Sequence, residues 1–225
     1  MGERSGEEGL RQKAVSFPCG DLILEGACSF PDGDGVFPAV VLCHPHPLYG
    51  GSMDNNVVLA VGSGLVSTTA IAFMFNFRGV GGSQGSFGGG VAEQEDVVAA
   101  ISWLASQPEV DVGKMGLLGY SFGAGVALPV ACRDKRIQAM VLISPPLEPS
   151  QMPQLRDCGK PKLIVCGTAD FVVSAEKAEL IGREAAEPKQ LELVSGADHF
   201  WRGYEAALAD KVAAFFSGLW EKDSA

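Results

Sequence analysis

The sequence predicts an α/β fold in which a mostly parallel sheet of about seven or eight strands is covered by helices on both faces. Short apolar runs alternate with segments of helical pattern, which is typical of parallel sheets. Residues 14–17 and 22–30 predict an antiparallel pair joined by a tight turn at the start. No internal repeat or linker interrupts the pattern, so residues 1–225 are expected to form one domain, with residues 1–10 flexible.

The parallel strands are predicted from six short, mostly apolar runs. Because such runs are apolar on both faces, each fits a strand buried between two layers of helices. Polar or Gly-rich residues follow each run, and functional side chains are expected there, because ligands bind outside the carboxyl ends of parallel strands. In order, the runs occupy residues 38–43, 70–77, 114–118, 139–143, 163–166 and 190–194.

The helices are predicted from the segments between these strands. Asp54 or Asn55 is expected to cap the first helix and Ser174 a later one, since short polar side chains accept hydrogen bonds from free N–H groups. Pro108 should end the second helix, and Pro129 is expected to kink the third. The predicted helices occupy residues 54–66, 91–106, 122–128, 174–186 and 204–219.

Composition sets the broad class of the protein. A hydrophobic content of 47% with 20% charged residues predicts a folded core. The net charge of -10 argues against nucleic acid and anionic membranes as partners and suits small neutral substrates. The cysteines are scattered, and neither a signal peptide nor a membrane-spanning run is seen, so a cytoplasmic protein with free thiols is expected. A monomer or a homodimer is expected.

The segment Gly119-Tyr-Ser121-Phe-Gly123 is the candidate nucleophile site. It joins an apolar strand directly to a helix, and such a sharp turn holds its central residue in a strained conformation. The Ser121 hydroxyl would then stand clear at the carboxyl end of the strand. The backbone N–H of Phe122 lies at the helix N-terminus, which favours negative charge, so it is expected to help form an oxyanion hole.

A nucleophilic serine needs a base that takes its proton and an acid that orients the base. His199 and Asp170 each follow a predicted strand, and the order Ser121, Asp170, His199 along the chain fits a catalytic triad. Asp198 is the alternative acid. Asp170 is favoured, because neighbouring residues usually point apart and Asp198 adjoins His199.

The second oxyanion N–H is expected from the loop after residues 38–43. Pro45 and Pro47 have no N–H, so His44, His46 and Leu48 remain. His46 is favoured because it stands third in a turn equivalent to the common His-Gly-x oxyanion turn, and Leu48 is the reserve. The spacing of His44 and His46 would suit a metal pair, but no acidic or cysteine ligands join them. No metal or other cofactor is expected.

The substrate walls are predicted from residues next to the catalytic groups. The segment between Ser144 and residue 163 is too short for a helical cap, and residues 149–153 look turn-like, so an open site is expected. The Gly-rich stretch 79–90 is expected to form a loop that passes close to the site, and Arg78 is expected to fix that loop rather than bind substrate. The expected walls are Leu48, Tyr49, Phe122, Phe171, Phe200 and Trp201.

Three motifs, at residues 44–53, 76–85 and 119–123, stand in order along the chain. With them the chain resembles α/β-hydrolase-fold serine hydrolases over nearly its whole length. More narrowly, it is similar to small cap-less bacterial hydrolases related to dienelactone hydrolases. The resemblance implies a general carboxylesterase that acts on small-molecule esters, with short acyl chains expected from the open site. A thioesterase or acyl-peptide hydrolase with the same triad, or a catalytically idle binding protein, are the alternatives.

Overall fold

The computed structural model describes residues 11–222, and its central feature is a sheet whose strands run mostly in parallel. The predicted flexible segment 1–10 lies outside the described residues. Within them, eight strands lie in the order β1-β2-β4-β3-β5-β6-β7-β8. They are β1 (Arg11–Cys19), β2 (Leu22–Phe30), β3 (Phe37–Cys43), β4 (Ile71–Phe75), β5 (Val110–Tyr120), β6 (Ile137–Ile143), β7 (Lys162–Gly167) and β8 (Lys189–Val194).

The strand directions agree with the sequence prediction. β1 pairs antiparallel with β2, and β2 pairs antiparallel with β4. From β4 to β8 each neighbouring pair is parallel. The carboxyl ends of β3 to β8 therefore meet at one edge of the sheet, which is where a doubly covered sheet exposes its functional loops.

Helices cover both faces of the sheet. They are α1 (Asn56–Ser67), α2 (Glu93–Ala105), α3 (Phe122–Arg133), α4 (Met152–Asp157), α5 (Ala175–Glu184) and α6 (Glu205–Lys222), with 3-10 turns at Pro47–Tyr49 and Pro149–Gln151. The predicted caps are present, because the side chain of Asn55 accepts the N–H of Val57 and that of Ser174 accepts the N–H of Lys177. In residues 11–222 no helix combines the length and the apolar character needed to cross a membrane.

Alternating strand residues form the two layers of the core. In β3, Val41 and Cys43 pack toward α2 and α3, whereas Val40 and Leu42 pack toward α1 and α6. All four side chains are fully buried. A strand that is apolar on both faces is expected where helices cover both sides of the sheet.

Two local expectations differ from the structure. The third helix is longer than predicted, because it continues through Pro129 to Arg133. The segment predicted to be turn-like between β6 and β7 contains the 3-10 turn and α4, although both are too short to form a cap domain. Both short helices carry proline at an N-terminal position, where the missing N–H has no helical acceptor.

Candidate active site

Ser121 lies at the turn between β5 and α3, with φ of 54° and ψ of -120°. A positive φ is strained for a residue that has a Cβ, and such strain persists only where the surrounding structure enforces it. The packing is tight at Gly123, where a Cβ would lie 2.6 Å from the carbonyl oxygen of His44 and closer still to that of Cys43. Glycine at this position therefore allows the nucleophile turn to pack against the end of β3.

The structure brings Ser121, His199 and Asp170 together. The Oγ of Ser121 lies 2.9 Å from Nε2 of His199. On the other side of the imidazole, Nδ1 lies 2.9 Å and 3.0 Å from the two carboxylate oxygens of Asp170. All three residues are buried. The arrangement lets His199 accept a proton from Ser121 while Asp170 holds the imidazole in one tautomer.

Asp170 is held as a carboxylate by its hydrogen bonds. Its Oδ1 accepts the backbone N–H groups of Val172 and Val173, each at 2.8 Å. Burial raises the pKa of the carboxyl group, but hydrogen bonds from His199, from the N–H of Val173 and from Ser144 outweigh burial, so this pKa lies below its usual value. A negatively charged Asp170 can stabilise the imidazolium that forms when His199 accepts a proton.

Asp198, the alternative acid, has a different role. Its Oδ1 accepts the backbone N–H groups of Phe200 and Trp201, each at 2.9 Å, and so closes the turn that carries His199. This is the local hydrogen bonding that aspartate commonly makes with residues two and three positions further on. Asp170 is the carboxylate that contacts the imidazole of His199.

Two further contacts position His199, and sequence reasoning missed both. The hydroxyl of Tyr120 donates a buried 2.6 Å hydrogen bond to the backbone carbonyl of His199, 79 residues away. The loops that carry His199 and Asp170 meet at Gly167, where a Cβ would overlap the carbonyl oxygen of Ala197. A tyrosine between Gly119 and Ser121 was the available signal, but its partner lies too far along the chain for any local pattern to indicate it.

His44 fixes the loop that follows β3. Its Nε2 accepts the N–H of Phe77 at 3.1 Å, so Nδ1 carries the proton and donates to the carbonyl of Pro45 at 2.6 Å. Burial lowers the pKa of this imidazole to about 4, although the bond to Pro45 opposes the shift. Both ring nitrogens therefore bind backbone, and a neutral His44 holds the loop that presents His46.

The backbone N–H groups of Phe122 and His46 are the candidate oxyanion donors. In the part of the chain that the structure describes, neither donates to another protein group outside regular secondary structure. Phe122 is the first residue of α3, where an N–H has no helical acceptor. The reserve donor, Leu48, gives its N–H to Nδ1 of His46 at 3.2 Å. The geometry favours His46 over Leu48 as the second donor.

Ser121 opens onto a cleft of about 740 Å³. Of the predicted walls, Tyr49, Phe122, Phe171 and Phe200 line the cleft. Trp201 does not, because it is fully buried and its indole N–H donates to Oγ of Ser144 at 3.1 Å. Leu48 is 67% exposed and does not line the cleft either. The expectation that Trp201 and Leu48 line the cleft was wrong. The side chain of a residue that adjoins a functional residue in sequence can point in another direction.

The Gly-rich loop, predicted to pass close to the site, forms a further part of the cleft wall. Gly89, Gly90 and Val91 line the cleft, and the buried carboxylate of Glu93 accepts the N–H groups of Gly88 and Gly90 at 2.6 Å and 2.7 Å. Glu93 falls in the predicted helix 91–106, a pattern that does not indicate its contacts with the loop.

Arg78 fixes the start of the same Gly-rich stretch, as predicted. Its guanidinium donates to Asp96 through Nε at 2.9 Å and Nη2 at 2.7 Å. The backbone N–H of Arg78 also donates to Asp96, so one buried carboxylate holds both the main chain and the side chain.

Comparisons with known proteins identify a matching family and similar solved structures. The model of the X-Pro dipeptidyl-peptidase (S15) family matches residues 30–212. An uncharacterised protein of Rickettsia prowazekii is 37% identical over 173 residues, which cover 73% of this chain and 72% of the relative. An α/β serine hydrolase homologue from Coxiella burnetii is 31% identical with a TM-score of 0.82, covering 92% of this chain and 98% of that one. A serine hydrolase without a lid from Xanthomonas campestris is 28% identical with a TM-score of 0.79, covering 93% and 94%.

Proposed function

This chain belongs to the X-Pro dipeptidyl-peptidase (S15) family and is a cap-less α/β serine hydrolase, and on that premise we propose that it is a carboxylesterase for short-chain acyl esters. One observation carries the proposal. The Oγ of Ser121, 2.9 Å from Nε2 of His199, lines an open cleft with aromatic walls. A small neutral ester can enter such a cleft and place its carbonyl carbon against Oγ.

The proposed reaction forms and hydrolyses an acyl-enzyme. Oγ of Ser121 attacks the acyl carbon while Nε2 of His199 accepts the hydroxyl proton, and Asp170 stabilises the imidazolium. The N–H groups of Phe122 and His46 bind the developing oxyanion. His199 then returns the proton to the alcohol oxygen as the ester C–O bond breaks. A water molecule, deprotonated by His199, then attacks the acyl carbon. The bond from the acyl carbon to Oγ breaks, His199 returns the proton to Oγ of Ser121, and the acid is released.

The lining of the cleft favours an ester over a peptide with a free amino terminus. A peptide ammonium group needs a carboxylate partner when it is bound in an apolar cleft. Glu148 is the acidic side chain among the residues that line the cleft, and it is engaged in a capping box with Gln151. With that carboxylate occupied, the apolar walls suit an uncharged acyl ester.

The test combines turnover with active-site labelling. We expect the purified protein to hydrolyse p-nitrophenyl butyrate and to be labelled by a serine-directed phosphonate, and we expect Ser121→Ala to abolish both. Ser102→Ala, which changes an exposed serine on α2, is the matched control and should keep both. Absence of labelling in the wild type would exclude a working serine hydrolase. A higher kcat/KM for an Xaa-Pro p-nitroanilide than for the butyrate ester would favour a peptidase.

A further inference from the structure

Two groups of aromatic side chains lie near Ser121, one beside His199 and one around His46. Beside His199 lie Phe171 and Phe200, here called the His199 rings, with centroids 6.2 Å and 6.0 Å from the imidazole and 5.7 Å from each other. The second group surrounds His46 and contains Tyr49, Phe87 and Phe122, at 4.6 Å, 5.1 Å and 4.8 Å from its ring. Of these three, Tyr49 and Phe122 line the cleft.

The two groups face different parts of an ester. The carbonyl oxygen must reach the N–H groups of Phe122 and His46, which lie in the His46 group. The alcohol oxygen must reach Nε2 of His199, because His199 returns the proton that the leaving alcohol takes up. The alcohol part of the ester therefore extends toward the His199 rings.

The His199 rings have no structural role in the core. Phe171 is 71% exposed and Phe200 is 49% exposed, and neither belongs to the two core clusters of the described residues. Both nevertheless line the cleft. Exposed apolar rings at the mouth of a site are typical of ligand binding. Their spacing lies in the range in which aromatic rings attract each other edge-on or offset.

Resting on the proposed function, we propose that the substrate is an ester of an aryl-bearing alcohol, whose ring binds against Phe171 and Phe200. The ester C–O bond breaks as Ser121 becomes acylated, and the aryl alcohol leaves with the proton that His199 took from Ser121. The ring itself undergoes no chemistry. It supplies contact area and orientation beside the group that protonates the leaving oxygen.

The test compares benzyl acetate with cyclohexylmethyl acetate. The two esters have the same acyl group, the same CH2–O linkage and six-membered rings, so they differ in aromaticity and planarity. After division by the hydroxide-catalysed rate of each ester, we expect kcat/KM to favour benzyl acetate by about 3- to 10-fold, the effect of one or two aromatic contacts. Phe171→Leu and Phe200→Leu should bring this ratio toward one, since leucine keeps an apolar side chain without a ring.

Tyr49→Leu is the matched control, because it removes an exposed ring from the same cleft on the side of the His46 group. It should leave the ratio unchanged. Hydrolysis of both esters at equal normalised kcat/KM, or the same ratio in Phe171→Leu as in the wild type, would overturn the inference and leave the proposed esterase standing. Failure to hydrolyse either ester, together with no phosphonate labelling, would overturn both.

Discussion

The side-chain amide of Gln151 donates a 2.7 Å hydrogen bond to the backbone carbonyl of Gly125. Within α3 that carbonyl would accept the N–H of the residue four positions on, which is Pro129 and has none. Gln151 supplies the missing donor and so accounts for a helix that continues through proline. The same contact ties the cleft wall between β6 and β7 to the helix that follows Ser121.

A double-mutant cycle tests this relationship. Gln151→Leu should lower the free energy of unfolding by about 1 to 3 kcal/mol, because the carbonyl of Gly125 loses its donor. With Pro129→Ala, residue 129 regains an N–H for that carbonyl, so the same Gln151→Leu change should cost about 1 kcal/mol less. Urea unfolding of the four proteins gives the coupling. An equal cost in both backgrounds would mean that Gln151 does not substitute for the missing N–H.

The choice of catalytic acid can be tested with two matched amide variants. Asp170→Asn should lower kcat by about three to four powers of ten, because an amide favours the wrong tautomer of His199. Asp198→Asn keeps an oxygen that can accept the N–H groups of Phe200 and Trp201, so kcat should stay within a few-fold of the wild type. The measurement is kcat with a p-nitrophenyl ester. The reverse order of effects would identify Asp198 as the acid.

The stability of the fold should fall as the pH drops from about 6.5 to 4, because of His44. Its pKa in the folded protein, about 4, lies below that of an unfolded histidine. Between these two pKa values His44 is protonated in the unfolded chain but neutral in the folded protein. The stability present above pH 6.5 is therefore lost progressively as the pH falls. The free energy of unfolding lost over this whole range is about 3 kcal/mol.

The control for this pH effect is His44→Gln, which keeps a polar side chain that does not titrate. It should be less stable than the wild type at pH 7, where the contacts of His44 with Phe77 and Pro45 are intact. Its free energy of unfolding should then depend less steeply on pH over this range. Parallel curves for the two proteins in urea unfolding at pH 7, 6, 5 and 4.5 would show that His44 is not responsible.

The positions that sequence reasoning could locate are those with local signals. Ser121, Asp170 and His199 each follow a strand of the parallel part of the sheet, and parallel strands bring their carboxyl ends to one edge, so their proximity could be anticipated. The direction in which a side chain points could not be anticipated from the sequence. Trp201 adopts a φ of 61°, and its side chain is buried in the core, whereas Leu48 lies outside the cleft.

Contacts between residues far apart in the chain were equally inaccessible from sequence. The bond from Tyr120 to His199 spans 79 residues, and that from Gln151 to Gly125 spans 26. Neither has a periodicity or spacing that indicates its partner. The third helix was therefore predicted to be too short, because the donor that replaces the missing N–H of Pro129 comes from another segment.

The openness of the cleft sets the expected acyl preference. Between β6 and β7 the chain forms only the 3-10 turn Pro149–Gln151 and α4 over residues 144–161, so no domain covers Ser121. At the mouth, Tyr49 is 87% exposed and Phe171 is 71% exposed. A methylene group that is fully buried contributes about 0.8 kcal/mol, but one that extends past this rim stays in water and contributes little.

We therefore expect kcat/KM to be highest for short acyl chains, about two to six carbons, because only these carbons can be buried. No rate jump should accompany micelle formation. The measurement is a p-nitrophenyl ester series from about C2 to C16, followed through the critical micelle concentration of the longer esters. If long esters bind weakly, their kcat/KM should be low because KM is high. If they bind with the carbonyl carbon away from Ser121, their kcat should be low instead. An optimum at about C12 or beyond, or a jump in rate above the critical micelle concentration, would contradict an open, cap-less site and indicate a lipase.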